Sequence, residues 1–422
     1  MSKKSKRKRI PLYVQILAGM IVGVVIGIVA LQSNGAQFIR DWIYPWGQVF
    51  IRLLQLIAIP LVFISLIKGI TGLKNISAVS RMGGRTIVIY LSTTVVAVLL
   101  GLSMGLLVEP GELVDKTQFA HIQEEYQSFA EEKKHIAEEK EELGPLSFLN
   151  DIIPNNIFSA AGDNSRMLQV IFFALFFGLA ALSINPAKIK PVVVLFDGLN
   201  DIILRMVDYI IYLAPYGVAA LMAGLITDFE GDISIFSALG VYALTVIVSL
   251  LMLIFGFYPL LIRIFTKIKP RKFLKSIYPA QLFAFTTSSS AATLPVTMDV
   301  VEKKLGISQE TASFVLPVGV TINMDGTSCY QAIAVVFIAQ VLGIDLSVMQ
   351  LLFIVTLTVL SSIGTPGIPG GSFVILTMVL TSVGIPAEGL ALIIGIDRPL
   401  DMLRTAVNVT GDTVTAAIVD KA

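Results

Sequence analysis

Long apolar segments, repeated along the whole chain, are the feature that most constrains how this sequence can fold. They lie at residues 11–31, 44–73, 85–108, 168–184, 190–226 and 233–265. A helix of about 20 residues crosses the hydrocarbon core of a bilayer, so several of these segments require tilted or broken helices. Only 14% of the 422 residues are charged, too few to solvate a large globular surface. The sequence therefore predicts an all-α polytopic membrane protein.

Composition also argues against several other classes of protein. The formal net charge is +1, which gives no signature of nucleic-acid binding. One cysteine, Cys329, supports neither a disulfide framework nor a cysteine zinc site. We expect no cofactor and no enzymatic activity, because both histidines lie in one charged stretch at 115–144. We interpret that stretch as a solvated insert, with metal binding by His121 and His135 as the alternative.

The distribution of Lys and Arg predicts how the chain is oriented in the membrane. A basic arm occupies residues 1–10, and basic residues recur in the links that follow the second, fourth and sixth apolar segments. The link after the fifth segment, 227–232, has none. Because Lys and Arg concentrate on the cytoplasmic side, we expect both termini to be cytoplasmic and the polar insert at 111–150 to be extracellular. The expected location is the plasma or inner membrane of the cell.

The last part of the chain contains a repeated pattern. Two short apolar halves flank a polar tip at 273–302, and a span at 307–343 is interrupted by polar residues at 323–327. The same order recurs with a hairpin at 346–384 and a last span at 388–418. The first hairpin starts inside and the second outside, so the two units are inverted repeats. Broken segments in corresponding halves of inverted repeats indicate a transporter site near the bilayer midplane.

Polar residues of the last span share one helical face. At 100° per residue, a stripe about 80° wide contains Asp397, Asp401, Arg404, Asn408 and Asp412, with Thr405 at its edge. Charges inside a membrane are costly, so they must face protein, water, ions or substrate. Two hypotheses follow. The stripe is either an ion-pair network that packs helices, or a site for an anionic group and an ammonium, with carboxylates left over for cations.

Three further polar clusters carry candidate chemistry. Asp325, within the interruption at 323–327, combines a carboxylate with freed backbone carbonyls, an all-oxygen set that suits sodium. The serines at 288–290 lie near half-helix ends, where an anion is favoured. The glycines of 364–371 permit close backbone approach or hinge motion. The alternatives are a packing kink, a small-residue packing tip and a passive loop, respectively.

Two other patterns predict packing rather than chemistry. Gly19, Gly23 and Gly27 form a GxxxG face on the first apolar segment, which is typical of closely packed membrane helices. Trp42 and Trp46 have the character of anchors at the membrane interface.

Four motifs together carry a resemblance to a known family. The runs SSSAATLP, NMDGTS, GTPGIPGGS and DMLRTAVNVTGD resemble the glutamate transporter family, the dicarboxylate/amino acid:cation symporters. The resemblance implies eight transmembrane helices plus two re-entrant helical hairpins. It implies a scaffold formed by 11–73 and 151–226, which would assemble as a homotrimer. The region 85–110 and the region 233–422 would form a transport domain that moves as an elevator.

The resemblance also assigns candidate site residues. Arg404 would bind the side-chain carboxylate of the substrate, and Asp401 would bind its α-ammonium. The remaining substrate-binding candidates are Thr405, Asn408, Thr327, Ser290, and the backbone of Gly367 and Ile368. The first sodium site would consist of Asp412 with the carbonyls of Gly319, Asn323 and Asn408. The second would consist of the carbonyls of Thr321, Ser362, Ile363 and Thr365. The third would consist of Tyr90, Thr93, Thr94, Asn323 and Asp325.

The chain departs from the pattern of some relatives at several positions, including Ala291, Thr94 and Pro366, and two of the departures concern charged groups. Ser288 stands where some relatives carry an arginine in the first hairpin, and Arg398 would supply that guanidinium from the last span instead. Gln331 stands where animal relatives have a glutamate implicated in proton coupling. This substitution weakens the case for proton coupling through that residue.

These observations lead to a sodium-coupled symporter for aspartate or glutamate. Asp401 favours an amino acid over a plain dicarboxylate, and Arg404 favours an acidic side chain. Proton-coupled transport of the same amino acids and transport of C4-dicarboxylates are the alternatives within the family. An intramembrane protease and an anion channel are alternatives from other classes.

Overall fold

The computed structural model describes residues 12–72, 80–114, 153–163, 166–228, 234–363 and 371–421. Within these ranges the chain forms helices and no β-strands. We number the helices of at least eight residues as α1 (Leu12–Gln32), α2 (Tyr44–Gly72), α3 (Ser80–Val108), α4 (Met167–Ser183), α5 (Pro186–Tyr212), α6 (Ala214–Asp228), α7 (Ser234–Met252), α8 (Tyr258–Phe265), α9 (Pro270–Thr287), α10 (Ser290–Val300), α11 (Gln309–Ile322), α12 (Asp325–Val341), α13 (Val348–Ser362), α14 (Gly371–Ser382) and α15 (Asp397–Lys421). The basic arm at 1–10 and the insert at 115–144, with His121 and His135, lie outside the described residues.

Among the described residues, four helical stretches are long and apolar enough to cross a membrane. They are Val14–Gln32, Ala36–Thr71, Met82–Leu113 and Ser237–Phe265, and α5 with α6 makes a fifth if that bent pair is one span. The segment predicted at 190–226 is bent by 49° between α5 and α6. Pro215 in the first turn of α6 has no N–H to continue the α5 hydrogen-bond ladder, which accounts for the break.

The first helix packs closely on α6 along its glycine face. A Cβ atom at Gly19 would overlap the carbonyl oxygen of Pro215, and one at Gly23 would overlap that of Ala219. The sequence prediction of a packing face is confirmed. Trp42 and Trp46, in contrast, are mostly exposed on the molecular surface.

Helix breaks occur where the sequence predicts polar tips. Ser288, with a φ of 50°, ends α9 in a left-handed turn, and the side chain of Ser289 caps α10 by accepting from the N–H of Ala292. The two short helices α9 and α10 pack on one another. The helices α13 and α14 form the arms of the second predicted hairpin, and the segment 364–370 between them lies outside the described residues.

The predicted interruption at 323–327 is confirmed, but it is shorter than expected. Only Asn323 and Met324 leave the helical conformation, between the end of α11 and the start of α12. The last helix begins at Asp397, later than the start predicted for the span 388–418. Short helical turns at Ala387–Leu390 and Ala391–Ile394 precede it. Gly395, a weak helix former, lies in the turn before α15, and a Cβ atom there would overlap the side chain of Met20 in α1.

Candidate substrate and cation site

Three elements bring the predicted polar residues together inside the protein. The break between α11 and α12 lies against the middle of α15, and α3 packs along α12 beside both. The helices α9 and α10 cover α15 from another side. Among the described residues, this is where most of the buried charge of the molecule is concentrated.

The first part of the site is a network of charges at the start of α15. Arg404 is completely buried, and its Nη2 donates to Oδ2 of Asp397 at 3.1 Å and to Oδ1 of Asp401 at 3.0 Å. The Nη1 of Arg398 donates to the other oxygen of Asp401 at 3.0 Å. The two guanidinium charges therefore balance the two carboxylates. The network has the form that the ion-pair hypothesis expects for this part of the stripe.

Donor capacity nevertheless remains on Arg404. Its Nη1 lies 3.0 Å from Oδ1 of Asp397 but is poorly aligned for a hydrogen bond. Its Nε has no acceptor among the described residues. A guanidinium carries five N–H donors in a planar fork, so Arg404 can donate hydrogen bonds to a further carboxylate.

Aromatic side chains that sequence reasoning missed support this guanidinium. The ring of Tyr330 lies 3.8 Å from the Cζ of Arg404, close enough for a cation–π interaction. Behind it, the ring centroids of Tyr242 and Phe337 are 4.6 Å apart in a stacked arrangement. In the sequence these residues occur inside apolar runs, where an aromatic residue indicates core packing. A tyrosine five residues after the Asn–Met–Asp interruption would have been a usable signal.

The substrate-binding candidates on α12 and α15 adjoin this network. Oδ1 of Asn408 accepts from the N–H of Gly326 at 2.8 Å, and its Nδ2 lies 3.3 Å from the hydroxyl of Thr327. Thr405 donates to the carbonyl of Asp401 at 2.8 Å. Ser290 is buried in the first turn of α10. The candidates Gly367 and Ile368 lie outside the described residues.

The second part of the site contains two further carboxylates. Oδ1 of Asp325 lies 2.7 Å from the hydroxyl of Thr94, and Oδ2 accepts from the hydroxyl of Tyr258 at 2.8 Å. Nδ2 of Asn323 donates to Oδ1 of Asp412 at 2.8 Å and to the carbonyl of Asn408 at 3.0 Å. The Oδ1 of Asn323 is buried and has no donor within the described ranges.

These two carboxylates differ from those of the first part because no basic side chain accompanies them. Within the part of the chain that the structure describes, Asp325 and Asp412 form no ion pair with Lys, Arg or His. Asp325 is 0% exposed and Asp412 is 2% exposed. A buried charge without a partner is strongly unfavourable. Two carboxylates beside an unmatched amide oxygen are a donor set that suits a hard cation.

The other cation candidates surround these groups. The hydroxyl of Tyr90 donates to the carbonyl of Val315 at 3.1 Å, and Thr93 donates to the carbonyl of Tyr90 at 3.0 Å. A Cβ atom at Gly319 would overlap both Oδ1 of Asp412 and the hydroxyl of Tyr90, so this glycine lets α3, α11 and α15 meet.

The second predicted cation set is described only in part. The hydroxyl of Ser362 lies 3.4 Å from the carbonyl of Ile322, so the end of α13 reaches the last turn of α11, which contains Thr321. Ile363 follows directly, and its carbonyl lies near Gly69 of α2. Thr365 is outside the described residues.

A helical membrane fold with a buried polar site at a helix break, as the described residues form, is typical of secondary transporters. The sequence profile of the sodium:dicarboxylate symporter family matches residues 12–422, and the chain belongs to that family. The resemblance drawn from the four motifs is therefore confirmed. The family is one of multi-pass membrane transporters rather than enzymes.

Relatives from bacteria and animals match nearly the whole chain. A proton/sodium-glutamate symport protein of Bacillus caldotenax is 35% identical over 98% of this chain and 95% of its own length. A proton/glutamate-aspartate symporter of Escherichia coli strain K12 is 33% identical over 96% of this chain and 92% of its own. Excitatory amino acid transporter 4 of Mus musculus is 33% identical over 90% of this chain and 78% of its own.

Proposed function

We propose that this protein is a sodium-coupled symporter that moves aspartate or glutamate into the cell. The observation that carries the proposal is the pair of buried carboxylates Asp325 and Asp412, which have no basic partner among the described residues and lie beside the unmatched oxygen of Asn323. Such groups need cations that the described side chains do not supply. The names of the relatives support an acidic amino acid as the co-transported molecule.

The acidic amino acid would bind in the network around Arg404. Its side-chain carboxylate would take up the donors of Nε and Nη1, in the two-point contact that a guanidinium favours. Asp401 would then be released from part of its pairing with Arg404 and could accept the α-ammonium. The hydroxyls of Thr327 and Thr405 and the amide of Asn408 would complete the pocket, with Ser290, Gly367 and Ile368 supplied by the hairpins.

The charge of the site supports coupling to about three monovalent cations. Asp397, Asp401, Arg398 and Arg404 balance one another. Asp325 and Asp412 leave two negative charges, and an acidic amino acid carries one more. Three sodium ions in the three candidate sets would neutralise them, which is favourable in an interior of low dielectric constant.

Transport would require one group of helices to move relative to another. The helices α1, α2 and α4–α6 would form a scaffold that assembles as a homotrimer. The helices α3 and α7–α15 would form a transport domain with two re-entrant hairpins, and this domain would move as an elevator. The contacts of α1 with α6 and of α2 with α4 and α5, and those of α12 with α3 and of α9 with α15, support this grouping. Both termini would be cytoplasmic.

Uptake into proteoliposomes under ion replacement tests the proposal. Labelled aspartate should accumulate when an inward sodium gradient is imposed, and accumulation should disappear when choline replaces sodium at constant pH. Glutamate should compete, whereas neutral amino acids and succinate should not. Equal accumulation with and without sodium would contradict sodium coupling, and competition by succinate alone would favour a C4-dicarboxylate.

Proton coupling is the second candidate, because the names of the bacterial relatives include protons. Protonation of Asp325 or Asp412 would also remove their uncompensated charges. The carboxamide of Gln331, which is buried in α12, cannot exchange a proton there. A pH gradient that drives uptake without sodium, and that a protonophore abolishes, would establish proton coupling instead.

A further inference from the structure

The hydroxyl of Tyr258 lies inside the cation site, although α8 belongs to none of the four motifs. Tyr258 is completely buried, and its hydroxyl donates to Oδ2 of Asp325 at 2.8 Å. No cation set that we assigned from the sequence includes it. The hydrogen bond joins the first residue of α8 to the first residue of α12.

A local irregularity of the helix places this tyrosine. The residues Leu253–Phe257 form a π-helical turn between α7 and α8, and Pro259 follows directly. One extra residue in a helical turn rotates everything after it by about 100° relative to a regular α-helix. Turns of this kind often occur at functional sites. Here the turn directs the Tyr258 hydroxyl toward Asp325.

The neighbouring helix leaves room for the same hydroxyl. A Cβ atom at Gly411 of α15 would lie 2.9 Å from the hydroxyl oxygen of Tyr258 and 2.7 Å from Nδ2 of Asn323. Such distances are too short for a carbon atom, so glycine at this position permits the approach. The hydroxyl therefore lies where α8, α12 and α15 meet. It contacts the candidate ligand Asp325 of α12 and lies beside Gly411 in the helix that contains the candidate ligand Asp412.

The two oxygens of Asp325 are held from different helices. Oδ1 faces the hydroxyl of Thr94 on α3, and Oδ2 accepts from Tyr258 on α8. A carboxylate has about four lone-pair directions, so each oxygen keeps one for another partner. Two contacts to opposite oxygens fix the plane of the carboxylate. Groups that orient a ligand in this way typically change metal affinity by about 10–100-fold when they are removed.

We propose that Tyr258 is a positioning residue for the cation site at Asp325 and sets the affinity of the protein for sodium. The proposal rests on the proposed function, because it assigns the cation of that site to sodium. Tyr258 acts through Asp325 and is not itself a ligand. Its removal should weaken sodium binding while the pocket for the acidic amino acid around Arg404 keeps its geometry.

The variant Tyr258→Phe tests this assignment because it deletes one oxygen and keeps the ring. Purified protein without amino acid is melted at increasing sodium concentrations, and the sodium concentration for half-maximal stabilisation is measured. We expect this midpoint to rise about 10-fold in Y258F. In proteoliposomes the sodium midpoint for uptake should rise similarly, whereas the KM for aspartate at saturating sodium should stay within about twofold of the wild-type value.

Ser249→Ala is the matched control. Ser249 is a buried residue of the neighbouring helix α7, and its hydroxyl donates to the carbonyl of Thr245 in the same helix. Its removal should leave the sodium midpoint unchanged. The variant Tyr258→Met also deletes the hydroxyl and fills the space with a flexible apolar side chain, and it should shift the sodium midpoint in the same direction as Y258F. This second variant decides the question if Y258F does not fold.

The outcomes separate the two proposals. A sodium-dependent wild type with an unchanged midpoint in the variants Y258F and Y258M would overturn the assignment of Tyr258 and leave the proposed function standing. If sodium neither stabilises the wild-type protein nor drives its uptake of aspartate, the proposed function and this assignment are both overturned. An equal loss of sodium and aspartate affinity in Y258F would indicate a merely structural role and would also overturn the assignment.

Discussion

Asp397 and Asp412 lie on the same face of α15, yet their charges are balanced in different ways. Asp397 faces Arg404, whereas Asp412 accepts only an amide N–H from Asn323 among the described contacts. The negative charge of a carboxylate that is paired with a guanidinium is neutralised by the protein itself, whether or not ligands are bound. A buried carboxylate without one depends on a partner that arrives from outside. The face predicted as one stripe therefore has two parts, one with its charges paired and one without a basic partner among the described residues.

The variant Asp412→Asn should separate stability from coupling. Without sodium, it removes an uncompensated buried charge, so the melting temperature of the purified protein in sodium-free buffer should rise by a few degrees. The same change removes a cation ligand, so sodium should no longer stabilise the protein to the wild-type extent and sodium-driven uptake should be lost. Differential scanning fluorimetry with and without sodium measures the first effect. A lower melting temperature in sodium-free buffer would show that Asp412 has a partner of its own.

Tyr330 should contribute to the affinity for the acidic amino acid through its ring. A desolvated cation–π interaction is worth about 2 kcal/mol, which corresponds to about 30-fold in affinity. Tyr330→Leu should therefore raise the dissociation constant for aspartate at saturating sodium by up to about that factor. Tyr330→Phe keeps the ring over Arg404 and should stay near the wild type. Equal losses in both variants, measured by isothermal titration, would assign the effect to the hydroxyl.

At the scale of helices, the sequence predicts the breaks better than the packing around them. The interruption at 323–327 and the turn at 288–290 contain Asn, Asp, Gly or Ser, whose local effects on the backbone are strong. The bend between α5 and α6 depends on one proline in an apolar run, and such prolines also occur inside intact helices such as α2, which contains Pro60. The π-helical turn before Tyr258 has no comparable signal. Its position depends on contacts with α12 and α15, which a single sequence does not contain.

The packing of α1 on α6 should depend on the absence of a side chain at Gly23. Gly23→Ala would place a methyl group against the carbonyl oxygen of Ala219 and should lower the melting temperature, although alanine favours helix by about 0.5–1 kcal/mol. Gly84→Ala in α3 is the matched control, because no atom lies within 4 Å of its added methyl. The control should be neutral or stabilising. A similar effect of the two substitutions would show that α1 can move away from α6 without cost.

For the whole molecule, the distribution of charge links the site to the membrane potential. The two unpaired carboxylates are buried in the proposed transport domain and would move with it. In the proposed cycle, three sodium ions and one acidic amino acid would neutralise these charges, so a loaded domain would cross the apolar environment at low cost. The cycle as a whole would then carry two positive charges inward with each amino acid.

This charge should be measurable as the potential at which transport reverses. Each elementary charge that crosses 100 mV corresponds to about 2.3 kcal/mol, so an inside-negative potential should increase accumulation strongly. In proteoliposomes with potentials set by potassium and valinomycin, the potential of zero net aspartate flux is measured at a fixed sodium gradient. Because a tenfold concentration ratio corresponds to about 59 mV for one charge, a tenfold change in the aspartate gradient should shift that potential by about 30 mV if two charges move. A shift of about 59 mV would mean that one charge moves and that only two sodium ions accompany each amino acid. A cycle in which no net charge moves would have no reversal potential. It would carry one sodium ion with each amino acid and would require both buried carboxylates to keep a proton throughout.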